Sequence, residues 1–147
     1  MSENLESFNV CVANIMGKLY KNFPIHTELS ANDFVNYEDI KHTDSHEEII
    51  RKGDKHHECY ILHFHTARFL LEEGFIRGNL SSTHTIIGDC ILTSKGLAKM
   101  QKVPKLIKDE KNSLSVGEIF SSLGKEVLKT TASEAIKSGI AVLLSKH

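Results

Sequence analysis

Residues 60–100, YILHFHTARFLLEEGFIRGNLSSTHTIIGDCILTSKGLAKM, contain the signals that decide the fold. The first part has helical spacing and stops at Gly74, the residue type best able to take the left-handed conformation after a helix. The next part predicts two strands over residues 75–79 and 84–92, joined by a polar turn. Thr93 then has the right chemistry for the N-cap of another helix. The predicted order is therefore helix, two-stranded hairpin, helix.

The helix that stops at Gly74 is predicted to begin at about Lys55, because Gly53 and Asp54 interrupt the chain and Asp54 can cap a helix. Seven residues share the face expected to be buried: Tyr60, His63, Phe64, Ala67, Leu70, Leu71 and Gly74. The opposite face mixes apolar and acidic residues: Glu58, Ile61, Leu62, His65, Phe69, Glu72 and Glu73. An apolar stripe on the outside of a helix usually means that a partner covers it.

Ahead of this stretch, the spacing of apolar residues predicts an amphipathic first helix over residues 4–21. Residues 24–30 alternate apolar and polar as a short strand would, and Ser30 is a candidate N-cap for a brief helix. Residues 36–56 mix charges of both signs around one apolar pair. This segment predicts a loop or a short helix.

Residues 103–113 are rich in Lys, Asp and Glu around Pro104 and predict a linker. From residue 114 to residue 147 the chain returns to helical spacing and predicts an amphipathic helix. A continuous helix over most of this range would be about 45 Å long, too long for so small a core to cover. We expect it to dock on the outward face of the central helix or to mediate a dimer. The candidate interface residues are Leu62, His65, Phe69, Ile136, Ile140 and Leu143.

Length, composition and charge limit the classes of protein to which this chain can belong. A chain of 147 residues with 40% hydrophobic and 25% charged residues fits one folded domain with an added arm. The formal charge of −1 gives no global attraction to a phosphate backbone. Three scattered cysteines and the lack of a signal peptide favour the cytoplasm, and no apolar run is long enough for a membrane span.

The segment ARFLLEEGFI (67–76), followed by the hairpin and by LTSKGL (92–97), resembles the pattern of winged helix-turn-helix proteins. In that family a leucine near the end of the recognition helix precedes an acidic pair and a glycine, and LT-x-x-G opens the helix after the wing. The resemblance covers roughly residues 5–102 and implies an α+β winged-helix domain over residues 1–102. The chain is also similar, more weakly, to small uncharacterised winged-helix proteins of bacteria and their prophages.

The resemblance implies DNA binding, with the helix before Gly74 in the major groove and the wing at the minor groove or backbone. The candidate DNA-contacting residues are Arg51, Lys52, Lys55, His56, Arg68, Arg77, Asn79 and His84. The outward helix face lacks the Arg, Lys, Asn and Gln that read bases. We therefore predict a small DNA-binding regulator of transcription; the alternative is a protein-interaction module of the kind mobile elements encode, which blocks or recruits another protein.

The sequence supports catalysis or metal binding less well than it supports the two functions above. His56 and Cys59, or Cys59 and His63, have the spacing of zinc ligands on one helix face, but no second ligand pair follows. The alternative is a buried His63 beside solvated histidines. No G-x-S-x-G, P-loop, G-x-G-x-x-G or H-E-x-x-H motif occurs. We therefore expect no enzyme activity, no metal and no cofactor.

Overall fold

Five α-helices and a small antiparallel sheet make up the described part of the chain, which in this computed structural model is residues 3–34, 40–80, 86–104, 114–122 and 134–146. The helices are α1 (Glu3–Asn22), α2 (His46–Glu72), α3 (Ser94–Met100), α4 (Val116–Ser121) and α5 (Glu134–Leu144), with a 3₁₀ helix at Ala31–Phe34. The strands are β1 (Thr27–Ser30), β2 (Ile76–Leu80) and β3 (Ile86–Leu92), in the order β1-β3-β2. The predicted α+β class is confirmed.

The central strand β3 carries a bulge. Between Ile87 and Ile91 it has one residue more than the facing segment of either neighbour. The extra residue is Asp89, whose φ of 52° lies in the left-handed region that Asp tolerates better than most residues. Because the bulge resets the alternation of side chains, Ile87 and Cys90 both face the core although they are three positions apart.

The two glycine-centred signals of the sequence meet in space. Gly74 follows α2 with a φ of 79°, as its position after a helix predicts. The Thr93 side chain accepts a hydrogen bond from Gly96 N at 3.0 Å and donates one to the Gly74 carbonyl oxygen. Lys95 Nζ donates to the Glu73 carbonyl oxygen at 2.9 Å. The end of α2 and the start of α3 therefore cap one another, and the predicted stop and N-cap are both confirmed.

Gly96 is required at this junction by close approach of the backbone. A Cβ atom there would lie 2.1 Å from the carbonyl oxygen of Phe75. That oxygen already accepts a hydrogen bond from Thr93 N at 3.0 Å, so it cannot move without loss of the bond. The third residue after the N-cap of α3 must therefore be a glycine.

Helix α1 forms the centre of the core. Its residues from Val10 to Leu19 are almost all buried, and they contact α2, α4 and α5 as well as the sheet. Small residues permit close approach at these contacts: a Cβ on Gly17 would lie 2.5 Å from the Phe120 carbonyl oxygen, and a Cβ on Gly139 would lie 2.5 Å from the Phe120 ring. Helices α4 and α5 thus belong to the same core as the sheet.

The start of α2 corrects the prediction for residues 46–56. The helix begins at His46 rather than at Lys55, and it passes through Gly53 and Asp54 without a break. Its N-cap is Ser45, whose side chain accepts a hydrogen bond from Glu48 N at 3.2 Å. A glycine inside a helix costs about 1 kcal/mol relative to alanine, which a capped helix anchored in a core can absorb.

The C-terminal region differs from the prediction in two ways. Helix α4 begins with a capping box between Ser115 and Glu118 and ends at Ser121, so it is separate from α5. Helix α5 packs mainly on α1 and α4 rather than on Leu62 and Phe69. Lys99 of α3 caps its end by donating to the carbonyl oxygens of Val142 and Ser145. Most of the predicted linker, residues 105–113, lies outside the described residues, as do residues 123–133.

Candidate interaction surface

The first half of α2 extends beyond the core. All four buried residues of this helix lie in its second half: His63, Thr66, Ala67 and Leu70. Near the boundary between the two halves, Tyr60 Oη donates a hydrogen bond to Asn32 Oδ1 at 2.9 Å. Residues 46–61, which we call the α2 arm, contain no buried residue.

The α2 arm presents large apolar side chains to solvent. Ile49, Ile50 and Ile61 are 40%, 50% and 42% exposed. A shallow groove runs along the arm and is lined by Glu47, Ile50, Arg51, Asp54, Lys55 and Glu58. Exposed isoleucines beside charges of both signs make the arm a candidate interaction surface.

The charge of α2 is close to neutral. It carries five acidic side chains, Glu47, Glu48, Asp54, Glu58 and Glu72, against four basic ones, Arg51, Lys52, Lys55 and Arg68. Lys52 Nζ lies 2.7 Å from Asp44 Oδ2, and Arg68 Nε lies 2.9 Å from Glu72 Oε1. A helix with this balance has no net attraction for a phosphate backbone.

Asp44 also fixes the segment that leads into the arm. Its carboxylate accepts a hydrogen bond from Lys41 N at 2.8 Å, in addition to the bond from Lys52 Nζ. The backbone N–H of Lys41, followed by the ammonium of Lys52, holds the pKa of Asp44 below its ordinary value. Lys52 is therefore held against its own chain and turned away from the groove.

The candidate DNA-contacting residues fall into separate places. Arg51 and Lys55 are exposed on the α2 arm, and His56 is half-buried there. Arg77 and Asn79 are exposed on β2, where they line a second open cleft together with His26, Leu71, Ile76, Gly78 and Asp89. His84 lies outside the described residues. The two clefts share no lining residue: Arg51 and Lys55 line one, and Arg77 and Asn79 line the other.

The candidate partner interface is also divided. Ile136, Ile140 and Leu143 are buried in the core, and at 6% exposure or less they are not available to a partner. The Phe69 ring packs edge to face on Phe8 of α1 with centroids 5.4 Å apart, which shows what covers it. Leu62 is half-buried and His65 is exposed. The C-terminal part of this prediction is corrected, because α1 and α4 of the same chain cover the apolar face of α5.

The His and Cys cluster of α2 splits between core and surface. Within the described ranges, no three His, Cys, Asp or Glu side chains are grouped so that they could hold a metal ion. The Cys59 thiol is half-buried, and burial, followed by the charge of Glu58, raises its pKa. The His63 ring is fully buried. Burial lowers the pKa of His63 to about 4. The charge of Asp33 raises this pKa by a smaller amount, and the charge of Lys18 lowers it.

The buried His63 predicts a pH-dependent stability. A histidine of the unfolded chain titrates near pH 6.5, so between pH 6.5 and 4 the unfolded state binds more protons than the folded state. The stability is fully present above pH 6.5 and falls as the pH drops through this window, at about 1.4 kcal/mol per pH unit, to a loss of about 3 kcal/mol. Urea unfolding at a series of pH values measures the slope.

Substitution separates His63 from the other titrating groups. His63→Gln is expected to lower the stability at pH 7 but to flatten the slope between pH 6.5 and 4. His65→Gln changes the exposed histidine two positions along the same helix and is expected to keep the wild-type slope. An unchanged slope in His63→Gln would contradict the assignment.

Comparison with known proteins adds no relative: no family model, no curated protein and no solved structure matches this chain. In the portion of the chain that the structure describes, none of the helices has the length and apolar character required to cross a membrane.

Sequence reasoning missed the extent of the α2 arm. The signal that would have found it is Ser45-x-x-Glu48, a Ser followed three residues later by a Glu, directly before the apolar pair Ile49 and Ile50. Gly53 and Asp54 concealed it, because they are common at helix ends.

Proposed function

We propose that this protein is a non-enzymatic protein-interaction module on a winged-helix frame, and that the α2 arm is its binding surface. The observation that carries the proposal is the extension of α2 beyond the core with exposed isoleucines along it. Support for the winged-helix frame comes from the element order, since a long helix leads directly into the β2–β3 hairpin and β1 completes a three-stranded sheet.

The energetics favour a partner on the arm. Burying an isoleucine side chain fully is worth roughly 1.5–3 kcal/mol, and Ile50 and Ile61 each leave about half of that unused in the isolated chain. The charges around them are of both signs, which suits the polar rim of a protein interface. A nucleic acid would instead need an excess of Arg and Lys along the arm.

Site-specific photo-crosslinking in the expressing cells tests the proposal. A benzoylphenylalanine in place of Ile50 is expected to give a discrete cross-linked adduct, which mass spectrometry assigns either to two copies of this chain or to another protein. The matched control places the same residue at Val103, which is 53% exposed but not on the arm. No adduct at Ile50, or equal adducts at both positions, would overturn the proposal.

A second candidate is a small DNA-binding regulator. It is favoured by the exposed side chains of Arg77 and Asn79 on β2, the first strand of the hairpin, where a wing would contact phosphates. Fluorescence anisotropy with duplex DNA at low salt tests it, since phosphate contacts are strongest there. Binding that weakens with salt and with Arg77→Glu would support this candidate, and no binding at low salt would eliminate it.

A further inference from the structure

Four exposed residues of the α2 arm form a stripe with coiled-coil spacing. The stripe consists of Ile50, Asp54, His57 and Ile61. They are separated by four, three and four residues, which is the spacing of successive a and d positions in a heptad. At 100° per residue they lie within about 60° of one another around the helix. The residues of this stripe are all exposed.

The stripe faces away from the rest of the fold. By the same helical geometry its centre lies about 160° from the centre of the buried face formed by His63, Thr66, Ala67 and Leu70. The groove lined by Ile50, Arg51, Asp54 and Glu58 runs along it. A second helix can therefore lie against the stripe without a clash with the core of its own chain.

We infer that the occupant of this stripe is a second copy of the chain, with the two α2 arms paired antiparallel. This inference rests on the proposed function, because it names the partner of the same arm. In the antiparallel arrangement, Asp54 lies opposite His57 of the second copy, and Ile50 lies opposite Ile61 of the second copy. The pairing repeats by twofold symmetry, so both isoleucines of each stripe are covered.

Charge selects the antiparallel arrangement. A parallel pair in the same register would place Asp54 against Asp54, which repels, whereas the antiparallel pair places it against an imidazole. Arg51 and Glu58 occupy the same flank of the stripe, seven residues apart. Antiparallel pairing brings Arg51 of one copy near Glu58 of the other, so this flank of the interface gains two opposite-charge contacts related by the twofold axis.

The intramolecular contacts leave this arrangement free to form. Lys52 lies on the far side of the helix and is held by Asp44, so it adds no repulsion to the interface. Pairing would overlap residues 46–65 of each copy, about 30 Å of helix. An interface of this size with four isoleucines is expected to give a roughly micromolar dimer.

Sedimentation equilibrium from about 0.1 to 50 μM protein tests the inference, a range that brackets a roughly micromolar dissociation constant. The wild type is expected to show a reversible monomer–dimer equilibrium. Ile61→Lys is expected to raise the dissociation constant at least about tenfold. The matched control, Val103→Lys, changes an exposed apolar residue outside the arm and is expected to leave the dimer intact. Circular dichroism establishes that each variant is folded.

A charge exchange tests the orientation. Arg51→Glu is expected to weaken the dimer by placing two glutamates together, and the double variant Arg51→Glu with Glu58→Arg is expected to restore it. Failure of the double variant to recover the dimer would exclude the antiparallel pair.

A wild type that stays monomeric over the whole range, or a dimer that survives Ile61→Lys, would overturn the inference. Neither result would contradict the proposed function if the adduct formed at Ile50 contains a protein other than this chain. Conversely, an arm that gives no adduct at all would remove both.

Discussion

Gly96→Ala is expected to destabilise the protein by at least about 4 kcal/mol, because the new Cβ atom would lie 2.1 Å from the Phe75 carbonyl oxygen. Relief requires the start of α3 to separate from the end of α2. That movement breaks the hydrogen bond from Thr93 N to Phe75 O and strains the bond from the Thr93 hydroxyl to the Gly74 carbonyl. Urea unfolding followed by circular dichroism measures the loss.

The matched control for this substitution is Gly53→Ala. Gly53 lies within α2, and apart from its chain neighbours and the backbone of its own helix a Cβ atom there would meet no atom within 4 Å. Alanine is the better helix former by about 1 kcal/mol, so this variant should be slightly more stable than the wild type. If Gly96→Ala is as stable as Gly53→Ala, the claim that α3 lies too close to Phe75 for a side chain at position 96 is wrong.

Phe120→Ala is expected to cost about 4 kcal/mol, the range for removal of a buried aromatic side chain. The Phe120 ring is 1% exposed and is the ring against which Gly139 of α5 packs. Its loss leaves a cavity where α1, α4 and α5 meet. Because these helices share one core with the sheet, we expect one cooperative transition at a lower urea concentration, with the same loss recorded by every spectroscopic probe.

A tail attached only loosely to the domain would behave differently. Phe120→Ala would then melt the C-terminal helices alone and leave the sheet at its wild-type midpoint. Leu144→Ala serves as the control, since Leu144 is the last residue of α5 and is 44% exposed. It should cost less than about 1 kcal/mol.

The sequence predicted the part of the fold that local chemistry determines. Gly74 and Thr93 marked the end of one helix and the start of the next, because a left-handed backbone and an N-cap each demand a small set of residues. The contact between those two signals was not predictable, since it depends on how the hairpin returns the chain. The bulge at Asp89 was hidden for the same reason: no periodic pattern indicates one extra residue in a strand.

The candidate site was predicted in part. The outward face at Ile61 and Glu58 was identified from helical spacing, and it belongs to the α2 arm. Phe69 was assigned to the same surface, but Phe8 covers it, and two rings 61 residues apart cannot be paired by periodicity. Ile136 and Leu143 were assigned to an interface because an apolar helix face indicates burial without saying whether its own chain or another buries it.

Helix α2 runs without a break from the core into the α2 arm, and this continuity determines how the arm becomes helical. A free peptide of residues 46–61 would have to nucleate its own first turn, and at that length, with Gly53 inside it, it would be mostly unfolded in water. In the intact chain the buried turns at His63 and Leu70 supply the nucleus, and the arm only elongates it. The proposed binding surface is therefore a property of the whole domain, and we expect the excised segment to be a poor competitor for it.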